Sequence, residues 1–173
     1  MIRTTSPQQS RKRRPSGTGM VEASFALILF LGFMLLTVNV CWGMFVKLTL
    51  QHAVRSAVRY AVTSQAPPVV GGASIGYVAA VKQIAQSESM GLLSNSDLSS
   101  YVTVTFFSVS SNPPTQVTGE GANSAGNMVV VSVNAWPLTP LAPLLISSDP
   151  VPINVTSADL IESIGNGSTP PSL

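Results

Sequence analysis

Three places in this sequence carry residue types at spacings that could do chemistry. Gly72-Ala73-Ser74-Ile75-Gly76 fits G-x-S-x-G, the sharp strand-to-helix turn that presents a nucleophilic serine in hydrolases. That chemistry needs an acid and a histidine after the serine, on a large α/β sheet. The one histidine, His52, comes before it, and 173 residues leave no room for such a sheet. One His and one Cys also exclude a zinc site built from the usual nitrogen and sulfur ligands. Cys41 lies inside an apolar run and reads as a small hydrophobe. The third place is Gly17-Thr18-Gly19-Met20-Val21-Glu22, where a lone carboxylate stands five residues after a glycine and directly before an apolar stretch. Glycine has no Cβ, so the chain there can lie extended and close against another protein surface. A carboxylate at a membrane edge is costly unless it is paired. The plain alternative is an interfacial acid placed where the helix dipole favours it. Asn154-Val155-Thr156 and Asn166-Gly167-Ser168 match the glycosylation sequon; their setting in a strand and a tail reads as chance.

The element that must position Glu22 is the run behind it. Ala23 to Val46 are 24 residues without a charge. As a helix they span about 36 Å, against the roughly 30 Å of a bilayer core. Ser24, Thr37 and Asn39 are the strongly polar interruptions. A buried core helix of this length with no polar face is unusual, and the run is too long for a cleaved secretory signal, with no A-x-A site after it. Composition agrees: 45% hydrophobic and only 9% charged, with a mean hydropathy of +0.37, is far from the usual soluble balance. Arg3, Arg11, Lys12, Arg13 and Arg14 precede the run, whereas Lys47, Arg55 and Arg59 follow it. The positive-inside rule therefore places the N-terminus in the cytoplasm and everything after Lys47 outside. Residues 83 to 173 hold six acids and no Lys or Arg, so the folded part lacks the basic patch of a nucleic-acid binder.

Beyond Lys47, Leu50, Val54, Ala57, Val58, Ala61 and Val62 recur at helical spacings. The pattern stops before Pro67-Pro68. One helix over 18–65, with its transmembrane span at 23–46, is predicted to be roughly 70 Å long. Its inner half belongs in lipid, and its outer half offers an apolar stripe to a sheet. A Pro/Gly linker follows over 66–72, then a shorter helix over 74–87. Three strands come next, with Val102, Val104 and Phe106, then Val129, Val131 and Val133, then Val151, Ile153 and Val155 on the buried face. Asn112 to Asn127 reads as an exposed loop, and the tail from Gly165 as disordered. The fold class is α+β: a long N-terminal helix with an amphipathic outer half, a short second helix and a small antiparallel sheet of about three strands. A membrane-anchored coiled coil would look similar over the first helix alone.

G-x-x-x-x-E after a basic leader and before an apolar helix resembles the processing site of type IV prepilins. More closely, residues 17 to 61 resemble the TadE-like pseudopilins of tight-adherence (Flp pilus) systems. The matching pieces are the basic block, Val21-Glu22, Phe25-Ala26-Leu27 and Ala57-Val58-Arg59-Tyr60-Ala61. Distally the pattern is a Val-rich strand, Pro137-Leu138-Thr139-Pro140-Leu141, and a closing strand into Ser157 to Glu162. The family usually has an aromatic directly after the Glu, where this chain has Ala23-Ser24 before Phe25.

The resemblance implies cleavage by a prepilin peptidase between Gly17 and Thr18, discarding the leader 1–17 and leaving an α-amino group on Thr18. It implies that Glu22 pairs with the terminal amine of a neighbouring subunit and so sets lateral registry. The expected protein is a non-catalytic minor pseudopilin without cofactor or metal, in the bacterial inner membrane, with residues 66–173 as a periplasmic domain. Its expected partners are the peptidase, other pilins and pseudopilins, the inner-membrane platform and lipid, and no nucleic acid. The alternative is an uncleaved single-pass anchor that displays a periplasmic binding domain.

Overall fold

A computed structural model describes residues 17–63, 69–70, 73–74, 76–141 and 149–162. The leader before residue 17, the predicted helix end at 64–65, most of the 66–72 linker and the tail from 165 lie outside the described residues. Helix α1 runs Thr18–Val62, 45 residues, or about 68 Å. It stops at Thr63, whose Oγ1 donates to the carbonyls of Arg59 and Tyr60 at 3.2 and 3.1 Å. The Thr63 N–H also donates to the Arg59 carbonyl at 3.2 Å, so this one residue answers several of the carbonyls at the helix end.

The two halves of α1 live in different surroundings. Over its first half the side chains face outward all round: Phe25, Leu29 and Phe33 are 66, 75 and 70% exposed. Among the described residues α1 is the one helix long and apolar enough to cross a membrane, and only 6% of its most apolar window is buried. Over its second half Val46, Leu50, Ala53, Val54, Ala57, Val58, Ala61 and Val62 are buried, while Lys47, His52, Arg55 and Arg59 face out. Ala53, Ala57 and Ala61 recur every four residues, and their small side chains let the sheet approach the helix closely.

The sheet has four antiparallel strands in the order β4-β3-β5-β6. They are β3 (Val102–Ser108), β4 (Thr115–Val117), β5 (Asn127–Leu138) and β6 (Val151–Leu160). Strand β4 pairs with Phe106–Ser108 and lies inside the stretch expected to be a loop. With three residues, two of them exposed, it has no alternation for the sequence to show. Before the sheet come a two-stranded hairpin, β1 (Val69–Val70) and β2 (Ala73–Ser74), then α2 (Tyr77–Ser87) and α3 (Asn95–Ser100). The hairpin occupies part of the expected linker. The second helix starts at Tyr77 rather than at Ser74, because Gly76 is still extended with ψ 151°. Helix α3 is held by a capping box in which Ser94 and Asp97 serve each other's backbone.

Helices α1 and α2 cover one face of the sheet. Val102 and Phe106 of β3, Val129, Val131 and Val133 of β5, and Ile153 and Val155 of β6 are buried beneath them. Val151, expected to be buried, shares the helix-facing side of β6 with Ile153 and Val155 but is 49% exposed, because it stands at the start of the strand beside Asn39, Val40 and Trp42, past the domain's core. Strand β5 carries a bulge nearby: Val133 pairs with Val155, yet the next pairing is Trp136 with Ile153. Three steps on β5 answer two on β6, so the sheet bends there and the strand ends run past the covered core. Ala135, inside the bulge, has φ +54°, and its N–H donates to Asn154 Oδ1 at 2.7 Å. A left-handed backbone costs a non-glycine residue about 1–2 kcal/mol. Ala135→Gly is therefore expected to raise stability by up to about 1 kcal/mol, the gain being trimmed by glycine's larger unfolded-state entropy. Urea unfolding in detergent micelles checks this, and a loss of stability would mean that the alanine is unstrained.

Candidate functional site

The candidate site is the N-terminal end of α1. Gly17 precedes the first helical residue, Thr18, and nothing lies within 4 Å of where a Cβ on Gly17 or Gly19 would stand. Glu22 follows on the second turn and is exposed, between Met20 and Val21 on one side and Phe25 on the other, all three exposed as well. Among the described residues no ion pair to Glu22 is formed, and its neighbours on the helix are apolar.

The polar interruptions of the apolar half are neutralised by backbone carbonyls or by the outer domain. Ser24 Oγ donates to the Met20 carbonyl at 2.8 Å, and Thr37 Oγ1 to the Phe33 carbonyl at 2.9 Å. Bonded back one turn, these hydroxyls can sit in hydrocarbon at small cost. Asn39 is different: it is buried, and its Oδ1 accepts from the N–H of Leu141 at 2.9 Å. The outer domain thus reaches down α1 to Asn39, eight residues before the first charge at Lys47. Beside it, a Cβ on Gly43 would meet Leu138 Cδ2 at 3.3 Å, so glycine there admits the end of β5. Trp42 and Phe45 stack with ring centroids 5.7 Å apart. Composition alone had given the span as 23–46 and offered no signal for this contact beyond an asparagine in an apolar run.

The remaining sequence candidates do not converge on a catalytic arrangement. Ser74 lies in the two-residue strand β2, outside the main sheet. His52 Nδ1 lies 4.0 Å from Glu88 Oε2, both side chains being largely in solvent. Among the described residues no group of three or more His, Cys, Asp or Glu is placed to hold a metal, and Cys41 is an exposed free thiol. Leu50, Val54, Ala57, Val58, Ala61 and Val62 all belong to the core cluster with β3, β5 and β6. Outward side chains of α1 border a groove beside β6 that is lined by His52, Arg55, Arg59, Ser157 and Asp159.

No curated protein and no solved structure matches the chain. Residues 17–59, which begin at the glycine before α1 and end within its buried half, match the family model described as TadE-like protein.

Proposed function

We propose that this chain is a non-catalytic, TadE-like minor pseudopilin that takes part in assembling a tight-adherence pilus or a related secretion apparatus. The observation that carries the reading is the coincidence of three boundaries. The family match opens at residue 17, the helix opens at Thr18, and the candidate peptidase cut falls between them. A prepilin peptidase would remove the basic leader and leave the whole of α1 on the mature chain. That helix cannot be a dispensable signal, because its continuation from Val46 to Val62 is the centre of the domain's core. Cleavage exchanges five positive charges for one amine at Thr18. An amine and a carboxylate four residues apart on exposed helix ends suit pairing between neighbours, since each lowers the other's cost of lying near lipid. In this reading α1 is a single-pass anchor with its N-terminus in the cytoplasm, and residues 66–173 face the periplasm. The prepilin peptidase, other pilins and pseudopilins and the inner-membrane platform are the partners.

Mass spectrometry of the membrane-extracted protein, from a host that carries a prepilin peptidase, tests the reading. The wild-type chain is expected to begin at Thr18, and a Gly17→Leu variant to keep its leader. Should wild type also retain residues 1–17, the pseudopilin assignment fails and the chain is an uncleaved anchor for a binding domain.

A further inference from the structure

We propose that the membrane-proximal rim of the outer domain, Leu138, Leu141 and Val151 around the Asn39–Trp42 turn of α1, is a lipid-contacting surface seated in the outer interface of the bilayer. This rests on the reading of α1 as a membrane span. A hydrocarbon core of about 30 Å takes about 20 helical residues. Counted from Ala23, the first residue after Glu22, that distance ends near Trp42, although the charge-free run continues to Val46. The domain begins where the hydrocarbon ends. Leu138, Pro140 and Val151 line one small apolar cleft with Asn39, Val40 and Trp42.

Three observations favour lipid over water around this rim. Leu141 and Val151 are 58 and 49% exposed, beside the exposed Val40, Met44 and Phe45 on the helix. A band of apolar side chains encircling α1 at one height is what a membrane interface covers. Trp42 stands at the level where aromatic belts form, and Lys47, just above it, is exposed and long enough to reach headgroup phosphates. The Asn39 hydrogen bond completes the case. Irregular backbone at membrane depth must find its partners inside the protein, and Asn39 supplies one to Leu141. The domain therefore lies on the bilayer and does not stand off on a stalk, which fixes its tilt and the direction in which its other surfaces point.

The test uses the full chain with Cys41→Ala, reconstituted in phosphatidylcholine vesicles. Single cysteines carry a spin label at Leu141, Val151, Phe30 and Ala125. Phe30 is 65% exposed on the apolar half of α1 and serves as the lipid reference. Ala125 is exposed in the turn before β5, at the far end of a strand that spans about 36 Å from Asn127 to Leu138, and serves as the water reference. Labels on Leu141 and Val151 are expected to collide with oxygen several-fold more than with a water-soluble nickel complex, as at Phe30, and opposite to Ala125. Water-like behaviour at either rim position, with Phe30 still lipid-like, overturns the proposal and leaves the membrane span standing. Water-like behaviour at Phe30 overturns both. Leu141 and Val151 are tested separately so that a label disturbing one site does not decide the result.

Discussion

Val131→Asp is expected to leave the outer domain unfolded, whereas Ser132→Asp, the next residue on the same strand, shifts stability by less than about 0.5 kcal/mol. Val131 is fully buried in the middle of β5, where its cross-strand partners are Val104 and Ser157. An aspartate there must either ionise in an apolar interior or be held protonated. Holding it protonated means a rise of 3–5 pKa units, which at 1.36 kcal/mol per unit costs about 4–7 kcal/mol at neutral pH. Losing the buried valine adds about 2 kcal/mol. A domain of this size has about 5–15 kcal/mol in total. Ser132 points to the other face and is half-buried, and its Oγ accepts from Asn134 Nδ2 at 3.1 Å, a role that a carboxylate can fill. Circular dichroism through a urea titration in micelles separates the two variants. A cooperative transition in Val131→Asp within about 2 kcal/mol of wild type would mean that the inward face of β5 has been misassigned.

The contrast between those neighbours also shows what the sequence makes legible. Period-two alternation told which of Val129 to Val133 face the helix, because one side of the sheet is covered and the other is not. Helical spacing told the same for Leu50 to Val62. Both signals are repeated over many residues, so packing reinforces them. The features that escaped are those set by a single residue or by contacts far apart in the chain. A β-bulge leaves no periodic trace, so the continuation of β5 past Val133 to Leu138 does not show in the alternation, and the core's limit short of Val151 is set by where the helix and sheet part. Strand β4 is too short to alternate, and Asp97's part in a cap depends on a helix of six residues. Gly17 and Glu22 stand out as candidates because a charge beside an apolar run is a local pattern. The hydrogen bond from Leu141 to Asn39 joins residues 102 apart and could not be read locally. It brings the folded domain down α1 as far as Asn39.

Tyr77→Phe is expected to lower stability by about 1–2 kcal/mol at neutral pH and to remove much of the domain's sensitivity to alkali. Tyr77 opens α2 and is fully buried. Its ring lies 6.3 Å from that of Phe106, and its hydroxyl donates to the carbonyl of Ala61 in the last turn of α1. Removing the oxygen takes the side-chain donor from that carbonyl, to which the Thr63 N–H also points, whereas Tyr77→Ala also opens a cavity between α1, α2 and β3 and should cost about 3–5 kcal/mol. Burial, with a smaller contribution from Tyr60, pushes the Tyr77 phenol from its ordinary 10 up to about 12. The folded protein then holds this proton more tightly than the unfolded chain does. The resulting stability is complete below pH 10 and is lost as pH rises through 12, a loss on the order of 3 kcal/mol across the two units. Tyr60, also raised by burial, adds to the same loss and remains in the variant. Urea midpoints measured between pH 8 and 12 on wild type and Tyr77→Phe give the comparison. Parallel curves for the two proteins would show that the Tyr77 hydroxyl is not the group that ties the second helix to the end of the first.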